Sequence, residues 1–123
     1  MANSIEMTDE AGLPPCETLA LQNDAFRNRQ PAGGQGQWVC TTAVDNEGPA
    51  FVAACIAAVQ TYDDFKEEND PHGTRDMGFM TVMGREVWFK IDLYNPSYDA
   101  GSSEPENLDV TRRVLTVLFP SDY

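Results

Sequence analysis

The sequence predicts an α+β domain, an antiparallel sheet of about four strands with two helices packed on one face. Three observations lead there. Two stretches carry apolar residues at helical spacing, before Arg27 and after Pro49. A stretch around Trp38 and a pair of stretches around Gly84 carry the aromatic, β-branched and alternating residues of strands. A chain of 123 residues, 41% hydrophobic and 10% aromatic, has enough apolar material for one core and leaves no room for a second.

Residues 1–14 contain Glu6, Asp9 and Glu10 without a basic partner or an apolar period, and are expected to be a flexible acidic leader. Residues 15–123 then form the single domain. Pro15 suits the first turn of a helix, Glu17 complements its positive end, and Leu19, Gln22 and Phe26 share a face, so a helix is expected over 15–28. Proline and glycine break both periods from Gln30 to Gly36, which reads as a loop. A strand follows over 37–44. Pro49 opens a second helix, 49–65, with Phe51, Cys55, Val59 and Tyr62 on one face and several alanines allowing close approach to a sheet. A polar connection runs to Gly73. Residues 77–83 and 86–94 form a hairpin joined around Gly84-Arg85, its second arm pointing Val87, Phe89, Ile91 and Leu93 to the core and Trp88, Lys90, Asp92 and Tyr94 away from it. Residues 95–109 are a loop, and 113–119 a strand on β-branched content, with a helix after Asp109 as the competing assignment.

Charge and cysteines exclude several function classes. With 20 acidic and 8 basic side chains the net charge is −12, which disfavours direct binding to nucleic acid or an anionic membrane. No apolar run is long enough to span a membrane, and the acidic N-terminus does not resemble a secretory signal, so a cytoplasmic location is expected. Cys16, Cys40 and Cys55, widely spaced and without CxxC, read as free thiols rather than disulfides or a zinc site. Gly33, Gly34 and Gly36 lack the Lys and Ser/Thr of a phosphate loop. No cofactor is expected.

Asn69-Asp70-Pro71-His72-Gly73, Asp76 and Gly78, the run Trp88 to Tyr94, Gly101-Ser102, Pro105, Thr111 and Arg113-Val114-Leu115-Thr116 resemble, in that order, the domain of unknown function 3768 family. Leu21 to Arg27 is similar to that family's opening helix, so the resemblance spans roughly residues 19–123. It implies a small single-domain bacterial protein of plasmids, phages and other mobile segments, and it implies no activity.

Four constellations are candidates for function. Asp70, His72 and Asp76 offer two carboxylates and an imidazole for acid/base work or a divalent cation; the competing assignment is that Asp70 and His72 hold a turn. Trp88, Lys90, Asp92 and Tyr94 form the polar face of a strand, either a partner-binding surface or simply a solvated one. Cys40 or Cys55 reaching His72 would make a nucleophilic pair, although cysteine in a strand or an alanine-rich helix behaves as a small apolar residue. Finally, Asp63, Asp64, Glu67, Glu68 and Asp70 in one loop and Asp99, Glu104, Glu106 and Asp109 in another carry local charge suited to a basic groove, or to solubility alone. The expected function is noncatalytic: an accessory protein that binds another protein, an enzyme acting on nucleic acid, as inhibitor or adaptor. The alternatives are a small metal-assisted hydrolase built on His72 and a homodimer joined through a sheet edge.

Overall fold

The computed structural model describes residues 14–123; residues 1–13, which hold nearly all of the expected acidic leader, lie outside the described residues. Helix α1 spans Pro15–Arg27, close to its expected bounds. It ends in a Schellman turn, with Arg29 at φ 58°, the Gln30 N–H donating to the Ala25 carbonyl at 2.9 Å and the Arg29 N–H to the Phe26 carbonyl at 3.1 Å. A single 3₁₀ turn, Pro31–Gly33, follows. Gly33 is packed so tightly on α1 that a Cβ there would fall 2.3 Å from the Phe26 nitrogen.

Strand β1 is Gln35–Cys40, shifted toward the N-terminus from the expected 37–44. Thr41 ends it: its hydroxyl accepts from the Val44 N–H at 3.3 Å and caps a short helix α2, Thr42–Asp45, an element the β-rich composition concealed. Helix α3 spans Pro49–Thr61 and stops four residues before its expected end, because Tyr62 turns extended and its ring stacks edge-on to Phe65 and Phe89 at 4.9 and 5.5 Å. Strands β2, Met77–Val82, and β3, Arg85–Tyr94, form the hairpin. Its two-residue turn is Met83-Gly84, both at positive φ (50° and 78°), rather than Gly84-Arg85, because only that pair carries the twist of a type I′ connection. Strand β4, Arg112–Leu118, settles the last segment as a strand.

The four strands lie in the order β1-β4-β3-β2. The α+β class holds, but the sheet is mixed: β3 pairs antiparallel with both β2 and β4, whereas β1 pairs parallel with β4. The cause is the connection. Helix α3 carries the chain from the end of β1 back to the start of β2, so both run one way; the hairpin reverses the chain and the 95–111 connection reverses it again, leaving β4 parallel to β1.

The alternation expected for β3 is present. Val87, Phe89 and Ile91 are buried and Leu93 packs beside them, in one cluster with Met80 and Val82 of β2, Leu115 and Val117 of β4, Phe26 of α1 and Phe51, Cys55 and Val59 of α3. Gly78 belongs to this face because the Phe89 ring occupies the space its side chain would take, at 2.1 Å from an ideal Cβ.

Candidate functional site: two acidic loops and the first helix

The His72 loop is an exposed turn. The Asp70 carboxylate accepts from the Arg75 N–H at 3.2 Å with each oxygen, and Arg75 sits at φ 57°, so Asp70 clamps the turn that brackets His72. The Asp76 carbonyl accepts from the Ile91 N–H at 2.8 Å, extending the hairpin ladder by one bond. Among the described residues no three His, Cys, Asp or Glu side chains are placed to hold a metal ion. Cys40 and Cys55 lie near each other, Cys55 buried and Cys40 half-buried. Burial pushes the Cys55 thiol up to about 11 and raises that of Cys40, so both favour the protonated, weakly nucleophilic form.

On the other side of the sheet, Trp88, Lys90, Asp92 and Tyr94 are all half-buried. Trp88 is sandwiched edge-on between Phe79 at 5.3 Å and Tyr123 at 5.7 Å, and its indole N–H donates to Glu86 at 3.0 Å. The Lys90 ammonium bonds Asp92 at 2.7 Å, which holds its pKa above the usual lysine range against partial desolvation. Tyr94 leans on Tyr98 at 6.3 Å.

The loop carrying Asp63, Asp64, Glu67 and Glu68 is anchored through Tyr62 to Phe89, whose side chain leaves β3 on the face opposite Trp88. The structure therefore does not bring these four acids together with Trp88, Lys90, Asp92 and Tyr94. All four acids are exposed, with Asp64 3.2 Å from Lys66. Asn69 shapes the loop, accepting from the Lys66 N–H and donating to the Asp64 carbonyl, both at 2.9 Å.

What joins the two acidic loops is α1, whose polar residues sequence reasoning passed over. The Gln22 amide donates to the Glu106 carbonyl at 2.9 Å, in the second loop. Asn23, which is 1% exposed, donates to the Thr74 carbonyl at 2.9 Å, in the first connection. Asp24 bridges Arg75 at 2.7 Å and Arg27 at 2.6 Å, and Arg27 in turn donates to the Val59 and Tyr62 carbonyls at 2.7 and 2.9 Å. The second loop is tied down at Thr111, fully buried, whose hydroxyl lies 2.7 Å from that of Ser102 and donates to the Glu104 carbonyl at 2.9 Å. Beneath both sits Arg113, also fully buried, donating to Asn23 at 2.7 Å and Gln22 at 3.0 Å. Its desolvation lowers its pKa to about 10. A readable signal existed in α1: three consecutive polar residues, Gln22-Asn23-Asp24, span the helix where one face should be apolar.

An open cavity of about 610 Å³ lies between Gln22 and the 103–109 segment, with Glu104, Glu106 and Asp109 on its walls. No described helix is long and apolar enough to cross a membrane.

Comparison with known proteins returns no match among curated proteins and none among solved structures. A family model does match, over residues 40–122, from the end of β1 through all the remaining strands and both acidic loops, with α1 lying before the matched stretch. That is more than half of the chain, and the chain belongs to the family of proteins of unknown function DUF3768.

Proposed function

We propose that this is a noncatalytic accessory protein that binds a basic surface of another protein, as inhibitor or adaptor of an enzyme that works on nucleic acid. The observation that supports it most is the lacing of both acidic loops to one helix, through Gln22 to Glu106 in one loop and, on either side of Asp63 to Asp70 in the other, through Arg27 to Tyr62 and Asn23 to Thr74. Acids on loops held at fixed positions present a patterned field, whereas acids needed only for solubility require no such fixing. Binding by such a field is fast and salt-sensitive, and suits the groove of an enzyme built to grip phosphates. Trp88 and Tyr94, on the other face of the sheet, are assigned to a second contact that orients the partner. A cytoplasmic place of action and an origin on a mobile segment of a bacterial genome belong to the same proposal.

The test is capture of a host lysate on the tagged protein at low and moderate salt. Parallel captures use a variant with Asp63, Asp64, Glu67 and Glu68 changed to their amides, a second with Glu104, Glu106 and Asp109 so changed, and a Trp88→Ala/Tyr94→Ala variant. One protein recovered at low salt, reduced by salt and by either set of amides, is the expected result. A partner indifferent to salt and to both sets of amides would overturn the electrostatic mode. Hydrolysis or metal binding lost in His72→Ala, with no partner recovered, would overturn the noncatalytic assignment.

A further inference from the structure

We infer that the open edge of β1, together with Arg29 and Trp38, is a binding site for the free C-terminal carboxylate of an extended peptide. The site is separate from the acidic loops and stands or falls independently of them.

Arg29 differs from every other cation in the chain. Arg27 and Arg75 pair with Asp24, Lys66 with Asp64, Arg85 with Glu47 and Lys90 with Asp92. Arg112 donates to backbone carbonyls and Arg113 to side-chain amides. In a chain of net charge −12, Arg29 alone among the described residues meets no oxygen; its guanidinium rests on the Trp38 ring, 4.8 Å from the centroid. The ring contact satisfies none of the guanidinium N–H groups, which stay available for the two-pronged hydrogen bonding that carboxylates accept. The backbone at Arg29 is left-handed, as it is at Arg75, Met83 and Tyr98. Its φ of 58° belongs to the left-handed region, where the Schellman turn ordinarily carries glycine.

The surroundings fit an anion followed by a strand. Arg29, Trp38, Phe26 and Gly34 line an open cavity of about 470 Å³ that has no acidic residue on its walls. Residues 30–44 contain no Asp, Glu, Lys or Arg. The cavity lies at the beginning of β1, which is an outer strand of the sheet. The Thr41 N–H donates to the Val117 carbonyl, so the odd-numbered residues of β1 bond β4, and the N–H and C=O groups of Trp38 and Cys40 point away from the sheet. Edges of this kind are normally protected by charge, proline or a bulge; β1, Gln-Gly-Gln-Trp-Val-Cys, has neither charge nor proline. A peptide added antiparallel to β1 ends at the start of that strand, beside Arg29. Backbone bonds to Trp38 and Cys40 supply the pairing and Arg29 the terminal carboxylate, a combination of strand addition and terminus capture. The net charge favours a peptide with no acid but its terminus, and disfavours a second copy of this chain at the same edge.

The experiment uses the full chain under reducing conditions and a fluorescent library of randomised hexapeptides with free C-termini, each selected peptide remade as its C-terminal amide. We expect selection of uncharged, β-branched or aromatic sequences, and a loss of about tenfold or more in affinity on amidation, as befits a charge-assisted pair. Arg29→Gln should reproduce that loss. Arg29→Gly should also reproduce it while unfolding at the same or higher urea concentration, since glycine suits φ 58° better; a merely structural arginine would lower that midpoint instead. Amide signals of Trp38 and Cys40 should shift and gain exchange protection with the acid peptide. Any of four results overturns the inference: amides binding as well as acids, acetate or phosphate alone producing the full response, a preference for internal Asp or Glu over the free terminus, or protection of Trp38 and Cys40 by self-association without peptide.

Discussion

Replacing Arg27 by methionine keeps the unbranched stem and removes the guanidinium that ties α1 to the end of α3. Arg27 is 3% exposed; its Nη1 donates to Val59 and Tyr62 carbonyls at 2.7 and 2.9 Å, its Nη2 to Asp24 at 2.6 Å, and the group lies over Phe65 and Phe89 at 5.2 and 5.6 Å. Hydrogen bonds from a charged donor contribute about 1.5–3 kcal/mol each, but they share one side chain and do not add. Two effects reduce the loss. Asp24 keeps Arg75 as a partner at 2.7 Å, and the Arg27 Nε, buried without a hydrogen-bond partner, no longer has to be desolvated. What remains is two carbonyls at the C-terminal end of α3 without their donor, and the loss should be about 3 kcal/mol. With a urea slope of about 2 kcal/mol/M, the unfolding midpoint of Arg27→Met should fall by about 1.5 M at unchanged slope. The double variant with Asp24→Asn should lose less than the sum of the singles, because each removes the same contact. A midpoint within about 0.3 M of the parent would refute the assignment of Arg27 as the clamp between α1 and α3.

Gly36→Ala should be among the most damaging single-methyl changes in the chain, because its Cβ would lie 1.9 Å from the Arg113 carbonyl oxygen, a backbone atom that cannot rotate aside. A loss of about 3 kcal/mol is expected from the forced separation of β1 and β4, against about 1 kcal/mol for Gly84→Ala, where only positive φ opposes the change and nothing lies within 4 Å; equal urea midpoints for the two variants would contradict the register of β1 on β4. Thiol titration of the native protein near pH 8 should modify Cys16 quickly, Cys40 slowly and Cys55 only after unfolding, and fast loss of all three would disprove the burial of Cys55. The Cys55 thiol keeps its proton in the folded state up to about 11, against 9.0 when unfolded, so its contribution to stability is complete below pH 9 and is lost as pH rises toward 11. Cys55→Ala should flatten the fall in urea midpoint across that window, and an unchanged slope would refute the linkage.

The sequence by itself determined the elements with a strong local period. Pro15 and Pro49 mark the beginnings of α1 and α3, and the alternation from Val87 to Leu93 assigns β3 and its buried face before any contact is known. These signals are local: a helix start or a pleat is written within a few consecutive residues. Local composition misled where two assignments compete within one short segment, as at Thr41, whose β-branched side chain reads as strand but serves as the cap of α2. The clamp on the His72 turn was likewise legible, since Asp70 acts on a backbone only five residues away.

Tertiary structure alone decided the rest. The parallel pairing of β1 with β4 joins residues more than seventy positions apart, and no property of either strand announces its neighbour. The burial of Arg113 depends on Gln22 and Asn23 accepting its protons from about ninety residues away, which makes a charged residue a core residue. The meeting of Arg29 with Trp38 depends on Gly33 letting the chain turn against Phe26, a closeness invisible in a run of glycines that reads simply as a loop. In each case the deciding free energy comes from desolvation and close approach between distant segments, and those exist only once the chain has closed on itself.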